Sequence, residues 1–197
     1  MEELFIMEKI LVEVSARHIH LSRKDMDILF GEGSELHPIK DLSQPGQYAS
    51  DEKVKLVGPK STSTVRVLGP LRKETQVELS LTDARTLGVK AMIRESGDLE
   101  GTTGGLKLVG PCGEIDLEKG VIAAKRHIHM TPADAANYGV GNGDIVAVKV
   151  VTDGRTTVFG DTVIRVSESY SLAMHIDTDE ANAAGIAGTA AGEIVNI

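Results

Sequence analysis

Apolar positions along this chain fall mostly in short runs of period two, punctuated by glycine and proline, and only a few stretches keep a helical period. Residues 10–15, 53–57, 64–68, 120–124 and 145–148 read as strands, and 76–80 alternates as a half-buried strand does. A helix is predicted over 24–30, ended by Gly31-Glu32-Gly33. The segment 34–50 is polar, holds Pro38 and Pro45, and reads as a long ordered loop around Leu36, Ile39 and Leu42. One small unit is written three times, at 81–89, 130–140 and 177–186: a hydroxyl cap, a short helix, a glycine, then a β-branched residue. Asn142-Gly143 has the turn chemistry of a barrel corner, and Lys55-Leu56-Val57-Gly58-Pro59 is echoed by Lys107-Leu108-Val109-Gly110-Pro111. These patterns predict a mainly β protein with short helices. The expected architecture is two tandem, internally duplicated small β-barrel domains, 1–110 and 111–197, with the active site between them and strand exchange between the halves allowed.

A larger repeat organises the rest. Arg17-His18-Ile19-His20 returns as Arg126-His127-Ile128-His129, and the two copies hold four of the six histidines. Each copy follows an apolar strand-like lead and precedes a helix-start signal, Ser22-Arg23-Lys24-Asp25 or Thr131-Pro132-Ala133-Asp134. In an extended strand residues i and i+2 share a face roughly 6.6 Å apart. Each His-Ile-His therefore offers two imidazoles to one side and sends its isoleucine to the other. Paired imidazoles at a strand mouth suit a borderline metal such as zinc; the bland alternative, a polar strand end, loses weight because the motif is written twice.

Composition narrows the class. With 41% apolar and only 3% aromatic residues and no Trp, the 197-residue chain must build its core from Val, Ile, Leu and Ala. A net charge of −8 argues against a general nucleic-acid or membrane-surface binder. No apolar run approaches the roughly 20 residues of a membrane span. The single Cys112 excludes an intramolecular disulfide and fits a cytoplasmic protein. The opening residues 1–9 are acidic, carry no signal-peptide pattern, and read as the frayed start of the first strand rather than an amphipathic tag.

Between the histidine motifs, Met92-Ile93-Arg94-Glu95-Ser96-Gly97-Asp98-Leu99-Glu100-Gly101-Thr102-Thr103-Gly104-Gly105 gathers a cation, three carboxylates, hydroxyls and four glycines. Such a loop can bring N–H groups to an oxyanion, and a guanidinium binds phosphate bidentately; an ordinary linker has a similar composition.

With these motifs in order, the chain resembles the PduL-type phosphotransacylases, or phosphate propanoyltransferases, over nearly its whole length. The resemblance rests on Val14-Ser15-Ala16-Arg17-His18-Ile19-His20-Leu21-Ser22, Ile93-Arg94-Glu95-Ser96-Gly97, Lys125-Arg126-His127-Ile128-His129-Met130 and Met174-His175. It implies a two-domain β-barrel protein with two divalent ions, usually zinc, that exchanges acyl groups between coenzyme A and phosphate. It further implies that His18, His20 and Glu100 ligate the ion that meets the CoA sulfur, that His127, His129 and His175 ligate the second, and that Arg94 is the active-site arginine. Propanoyl-CoA or acetyl-CoA, phosphate, acyl phosphate and CoA are the expected substrates and products. Packaging in a bacterial microcompartment, frequent in the family, is not expected because the N-terminal extension is short. A homo-oligomer is compatible with the sequence, which does not fix it, and His37 is expected to be an ordinary loop histidine.

The chemistry agrees with that reading. A zinc-class ion stabilises a thiolate at neutral pH, and a second ion with a guanidinium can hold phosphate and the charge of a tetrahedral oxyanion. Cys112 as an acyl-carrying nucleophile is disfavoured, since no histidine stands near it in sequence. Two rivals use the same histidines. A metal-dependent hydrolase of the β/α-barrel kind would alternate strand and helix through about 250 residues, a pattern this chain lacks. A non-catalytic metal- or nucleotide-binding barrel would use the histidines only as staples and would show metal-dependent folding without turnover.

Overall fold

A computed structural model describes residues 9–196; the expectation for the opening residues falls outside them, except at Lys9. In chain order the first part runs β1 (Ile10–Val14), β2 (His18–His20), α1 (Arg23–Phe30), β3 (Pro38–Asp41), β4 (Tyr48–Val57), β5 (Thr62–Gly69), β6 (Gln76–Glu78), α2 (Leu81–Leu87) and β7 (Met92–Arg94). Then follow β8 (Leu106–Val109), β9 (Glu114–Leu117), β10 (Val121–Ala124), β11 (His127–Met130), α3 (Pro132–Tyr138), β12 (Ile145–Val150), β13 (Thr157–Val166), β14 (Ala173–Ile176), α4 (Thr178–Ala184) and β15 (Thr189–Val195). The fold is mainly β, with four short helices among the described residues.

The chain forms two compact units, one of residues 16–125 and one that joins the residues up to Ser15 to those from Arg126 onward. Residue 110, where a division was expected, lies in the turn of the β8–β9 hairpin, closed by Gly110 N–H donating to the Gly113 carbonyl. Each strand that leads into a histidine motif pairs in the opposite unit from the motif. β1 precedes β2 but pairs with β14 and β15, whereas β10 precedes β11 but pairs with β6 and β7.

The unit holding β11 is a closed six-stranded barrel, β1-β14-β11-β13-β12-β15. Its core is aliphatic apart from Phe159 and gathers Ile10, Val12, Ile128, Met130, Val148 and Ile164. The unit holding β2 is not a second copy of that barrel. It is a nine-stranded sheet in the order β7-β10-β6-β2-β5-β4-β8-β9, with β3 paired to β4. Charge explains why it ends at β9: Lys107 reaches Glu114 at 2.7 Å and Asp116 at 3.4 Å across the last pair, leaving a solvated edge.

Two local expectations change. Segment 34–50 contains β3 and the start of β4 as well as loop. All four residues of β3 are exposed, and Pro38 opens an edge strand, where its missing N–H breaks no inner ladder. All three residues of β6 are buried, so its alternation does not mark a solvent face. The repeated small unit is α2, α3 and α4. Each ends on a left-handed glycine (Gly88, Gly139, Gly185), and the next residue, Val89, Val140 or Ile186, donates its N–H back to Ala84, Ala135 or Ala181. The N-caps are Ser80, Thr131 and Asp177, so the third cap is a carboxylate instead of a hydroxyl.

Candidate metal centres

Both His-Ile-His segments are extended and divide their side chains as period two requires. Ile19 and Ile128 are fully buried in their respective cores, where truncation to Ala would cost about 2–5 kcal/mol. On the other face the His18 and His20 rings lie 5.0 Å apart between centroids, and the His127 and His129 rings 4.6 Å.

The surroundings of the two motifs match strand for strand. β2 has a parallel neighbour, β5, and an antiparallel one, β6; β11 has β13 and β14 in the same senses. The register matches too. His18 stands opposite Glu78 and His20 opposite Gln76, while His127 stands opposite His175 and His129 opposite Ala173. The two arginines also correspond: Arg17 pairs with Asp83 at 3.1 Å, Arg126 with Glu180 at 2.8 Å, each acid being the third residue of a capped helix.

In the first cluster the His18 Nδ1–H donates to the Ala16 carbonyl at 2.8 Å and the His20 Nδ1–H to the Leu68 carbonyl at 3.2 Å. These bonds fix both rings and leave the Nε2 lone pairs for a ligand. Glu78 Oε1 lies 3.5 Å from His18 Nε2 and 3.8 Å from His20 Nε2. Donor atoms of these three buried residues all fall within 4.8 Å of one another. Ligands of a tetrahedral zinc with bonds of 2.0–2.1 Å stand ~3.3 Å apart, so the trio fits such an ion after small adjustments. The electrostatics suit a cation. Burial alone would raise the Glu78 pKa, yet the neighbouring His18 holds it well below the usual carboxylate range. Burial pulls His18 down, but Glu78 outweighs it and the net shift is upward. Burial, followed by the nearby His18 and Arg72, pushes His20 down to about 3.

The second cluster has three imidazoles. His175 lies 5.3 Å from His127 and 5.1 Å from His129 between ring centroids, and Tyr170 tilts over His129 at 4.3 Å. His129 Nδ1 is buried without a hydrogen-bond partner, the state expected of a nitrogen whose partner is an ion. Burial, then His127 and His175, pushes the His129 pKa down to about 2, so this ring is a neutral donor at physiological pH. Three imidazoles suit a zinc-class ion with an open position.

The structure thus brings together His18 with His20, and His127 with His129 and His175. Glu100, expected beside the first pair, is exposed in the loop after β7, with its N–H on the Asp98 carboxylate at 3.2 Å. The carboxylate beside those histidines is Glu78, which sequence reasoning passed over. Its signal was available: Glu78 precedes the Ser80-capped helix by the same spacing that separates His175 from the Asp177-capped one. Arg94 ends β7, its carbonyl accepts from Lys125 N–H at 2.8 Å, and its Nε lies 3.9 Å from Asp98. The glycine-rich loop commits several amides internally: Gly97 N–H to Gln76 Oε1 at 2.8 Å, Gly105 N–H to the Leu117 carbonyl at 3.0 Å. Gly104 is there for packing, because a Cβ would come within 1.7 Å of the Leu117 carbonyl oxygen. Cys112 is exposed in the β8–β9 turn. His37 is an exposed loop residue bonded to Glu52 at 2.6 Å.

Comparison with known proteins identifies the relatives of this chain. The family model described as phosphate propanoyltransferase matches residues 11–187. A phosphate propanoyltransferase of Thermotoga maritima is 60% identical over 176 residues, covering 89% of this chain and 83% of the relative. One from Clostridioides difficile is 56% identical over 185 residues, 93% of this chain and 88% of the relative. One from Sebaldella termitidis is 54% identical over 188 residues, 95% and 88% respectively.

Proposed function

Since the chain belongs to the phosphate propanoyltransferase family and is therefore an acyltransferase, we infer that it interconverts a short-chain acyl-CoA, propanoyl-CoA or acetyl-CoA, and phosphate with acyl phosphate and CoA. A phosphate oxygen attacks the thioester carbonyl carbon, a C–O bond forms, and the C–S bond breaks with its electron pair left on sulfur. Transfer is direct, and Cys112, exposed in a turn, takes no part.

His18 and His20 present fixed Nε2 lone pairs, Glu78 adds a charged oxygen, and His127, His129 and His175 offer a second set of nitrogens. Divalent zinc-class ions bound there would supply Lewis acidity toward sulfur and phosphate oxygen. Arg94 contributes a guanidinium able to take two phosphate oxygens and offset the charge that grows on the oxyanion. Glu100, expected as a ligand from the resemblance, is proposed as a weaker contributor than Glu78 because it is exposed.

The observation that carries this reading is the first cluster: two buried imidazoles locked through Nδ1 with a buried carboxylate against both Nε2 atoms. The test is thioester loss from a series of acyl-CoAs with and without phosphate, before and after chelation, with metal content measured alongside. Phosphate-dependent loss that chelation abolishes and zinc restores is expected, with Glu78→Gln losing more bound metal than Glu100→Gln. Phosphate-independent hydrolysis, or activity indifferent to metal removal, would refute it.

A further inference from the structure

The histidine face of the barrel carries a cation that the metal reading leaves without a task. β11 and β13 run parallel and in register, with Ile128 opposite Ile164 and His129 opposite Arg165. Ile128 and Ile164 are fully buried in the core, so the alternation of a strand sends Arg165 to the other face, beside the His129 imidazole. Arg165 is half-buried, and among the described residues its guanidinium has neither a hydrogen bond nor an ion pair. The other two arginines of this unit are engaged: Arg126 holds Glu180 and the Gly160 carbonyl, and Arg155 reaches the Ala183 carbonyl at 3.4 Å.

The neighbours of Arg165 offer it no carboxylate. The position across the ladder is His129, and the cation helps, after burial and the other two imidazoles, to keep a proton off that ring. On the same face Glu13 of β1 stands opposite His175, with β14 and β11 between β1 and β13. Glu168 is exposed in the loop that follows. That loop turns back over the same strand: Ser167 N–H donates to the Met130 carbonyl and Tyr170 N–H to the Ser167 carbonyl, each at 3.1 Å, and the Tyr170 ring arrives 4.3 Å from His129. Partly desolvating a guanidinium with no partner is costly, and a divalent ion on the three imidazoles would add a second positive charge beside it. An anion resolves both.

We propose that Arg165 is an anion-recognising residue of the second cluster, its planar fork taking two oxygens of a phosphoryl group held beside His129. This rests on the reading of His127, His129 and His175 as a metal centre of an acyl-CoA–phosphate transferase. The fork matches phosphoryl geometry, which an ammonium does not. The reaction offers that chemistry from two sources, inorganic phosphate and the phosphate groups of CoA.

The test compares wild type with Arg165→Gln and Arg165→Lys as full chains. Zinc affinity is measured by competition with a chelator, and the zinc-loaded proteins are titrated with inorganic phosphate, CoA and dephospho-CoA. Arg165→Gln should weaken at least one of these ligands ~10–100-fold, with Arg165→Lys recovering part of the loss. A loss confined to inorganic phosphate assigns the substrate phosphate; a loss for CoA but not dephospho-CoA assigns the 3′-phosphate; a loss for both assigns the diphosphate. Zinc affinity gives a sign that a structural role does not share: removing a neighbouring cation should leave it unchanged or tighten it up to ~10-fold. Should Arg165→Gln melt early, Arg165→Lys decides, with a several-fold loss of the anion and zinc binding intact. Wild-type affinity for all three ligands in the variants, or zinc affinity that falls with them, overturns the proposal. If wild type binds zinc and these anions but does not transfer acyl groups, the functional reading falls while the assignment of Arg165 stands; if wild type binds no zinc, both fall.

Discussion

The two histidine clusters occupy the same station in two different sheets, each on a three- or four-residue strand between one parallel and one antiparallel neighbour. They differ at the third position, where the antiparallel neighbour supplies Glu78 in one and His175 in the other. That substitution changes the charge an ion would carry outward. With divalent ions bound as proposed, two imidazoles and a carboxylate would leave one net positive charge, which a thiolate would neutralise, and three imidazoles would leave two, which would match a phosphate dianion.

The most damaging way to probe the difference is to remove one histidine from each side. His18→Ala should weaken CoA binding, and His127→Ala should raise the phosphate requirement while sparing more of the CoA affinity. Either should cut turnover by two to three orders of magnitude, the consequence of losing roughly 3–4 kcal/mol of transition-state stabilisation. Separate CoA and phosphate binding constants on folded variants, with metal content, decide the matter; equal damage to both ligands in both variants would erase the division.

A smaller effect separates the two arginines. Arg126 is 27% exposed, bonds Glu180 and the Gly160 carbonyl, and stands 5.7 Å over the Phe159 ring, whereas Arg17 is 45% exposed with Asp83 as partner. Arg126→Met should cost about 2–3 kcal/mol in chemical denaturation, and Arg17→Met no more than about 1. Similar losses would mean that the correspondence extends to energetics as well as geometry.

These predictions also show which features could be read from the chain. The histidine pairs were legible because period two and exact repetition are local properties, and the glycine-ended helices because their caps lie within a few residues. Glu78 was not. In Gln76-Val77-Glu78 it has the pattern of a solvent-facing polar residue, and only its packing beside His18, His20 and Ser96 buries it. β3 was hidden by Pro38, which an edge position tolerates. The expectation of two matching barrels followed the repeats correctly as far as the strands around each motif. Beyond them β3, β8 and β9 extend one sheet, so the two units are a closed barrel and a larger sheet.

The smallest effect is acid sensitivity. His129 has a folded pKa of about 2 against an unfolded value near 6.5, so below pH 6.5 the unfolded chain takes a proton the native ring refuses. Its stabilisation is complete above pH 6.5 and declines as pH falls, with a limiting slope of about 1.4 kcal/mol per pH unit. His18 has the opposite sign: its raised pKa stabilises in acid and that contribution fades as pH rises through the folded value, partly offsetting His20. Melting temperatures of chelator-treated protein between pH 7.5 and 5 should therefore fall, and His129→Asn should flatten the decline. An unchanged slope in that variant would remove the second cluster as its source.

The exchange of lead strands bears on how the molecule comes to exist at all. β1 is made early, yet its hydrogen-bonding partners are β14 and β15, the last two strands described, with Ile10 opposite Gly192. On a ribosome that strand must wait for its partners until the residues through β15 have been synthesised. The barrel cannot close by vectorial growth, and its contacts join residues as far apart in sequence as Ile10 and Gly192, a topology that slows folding. The sheet holding β2 has its described strands complete by Ala124. Synthesis therefore delivers the His18 cluster's sheet first, and the His127 cluster's barrel only after β15 has emerged to receive the strand made at the start.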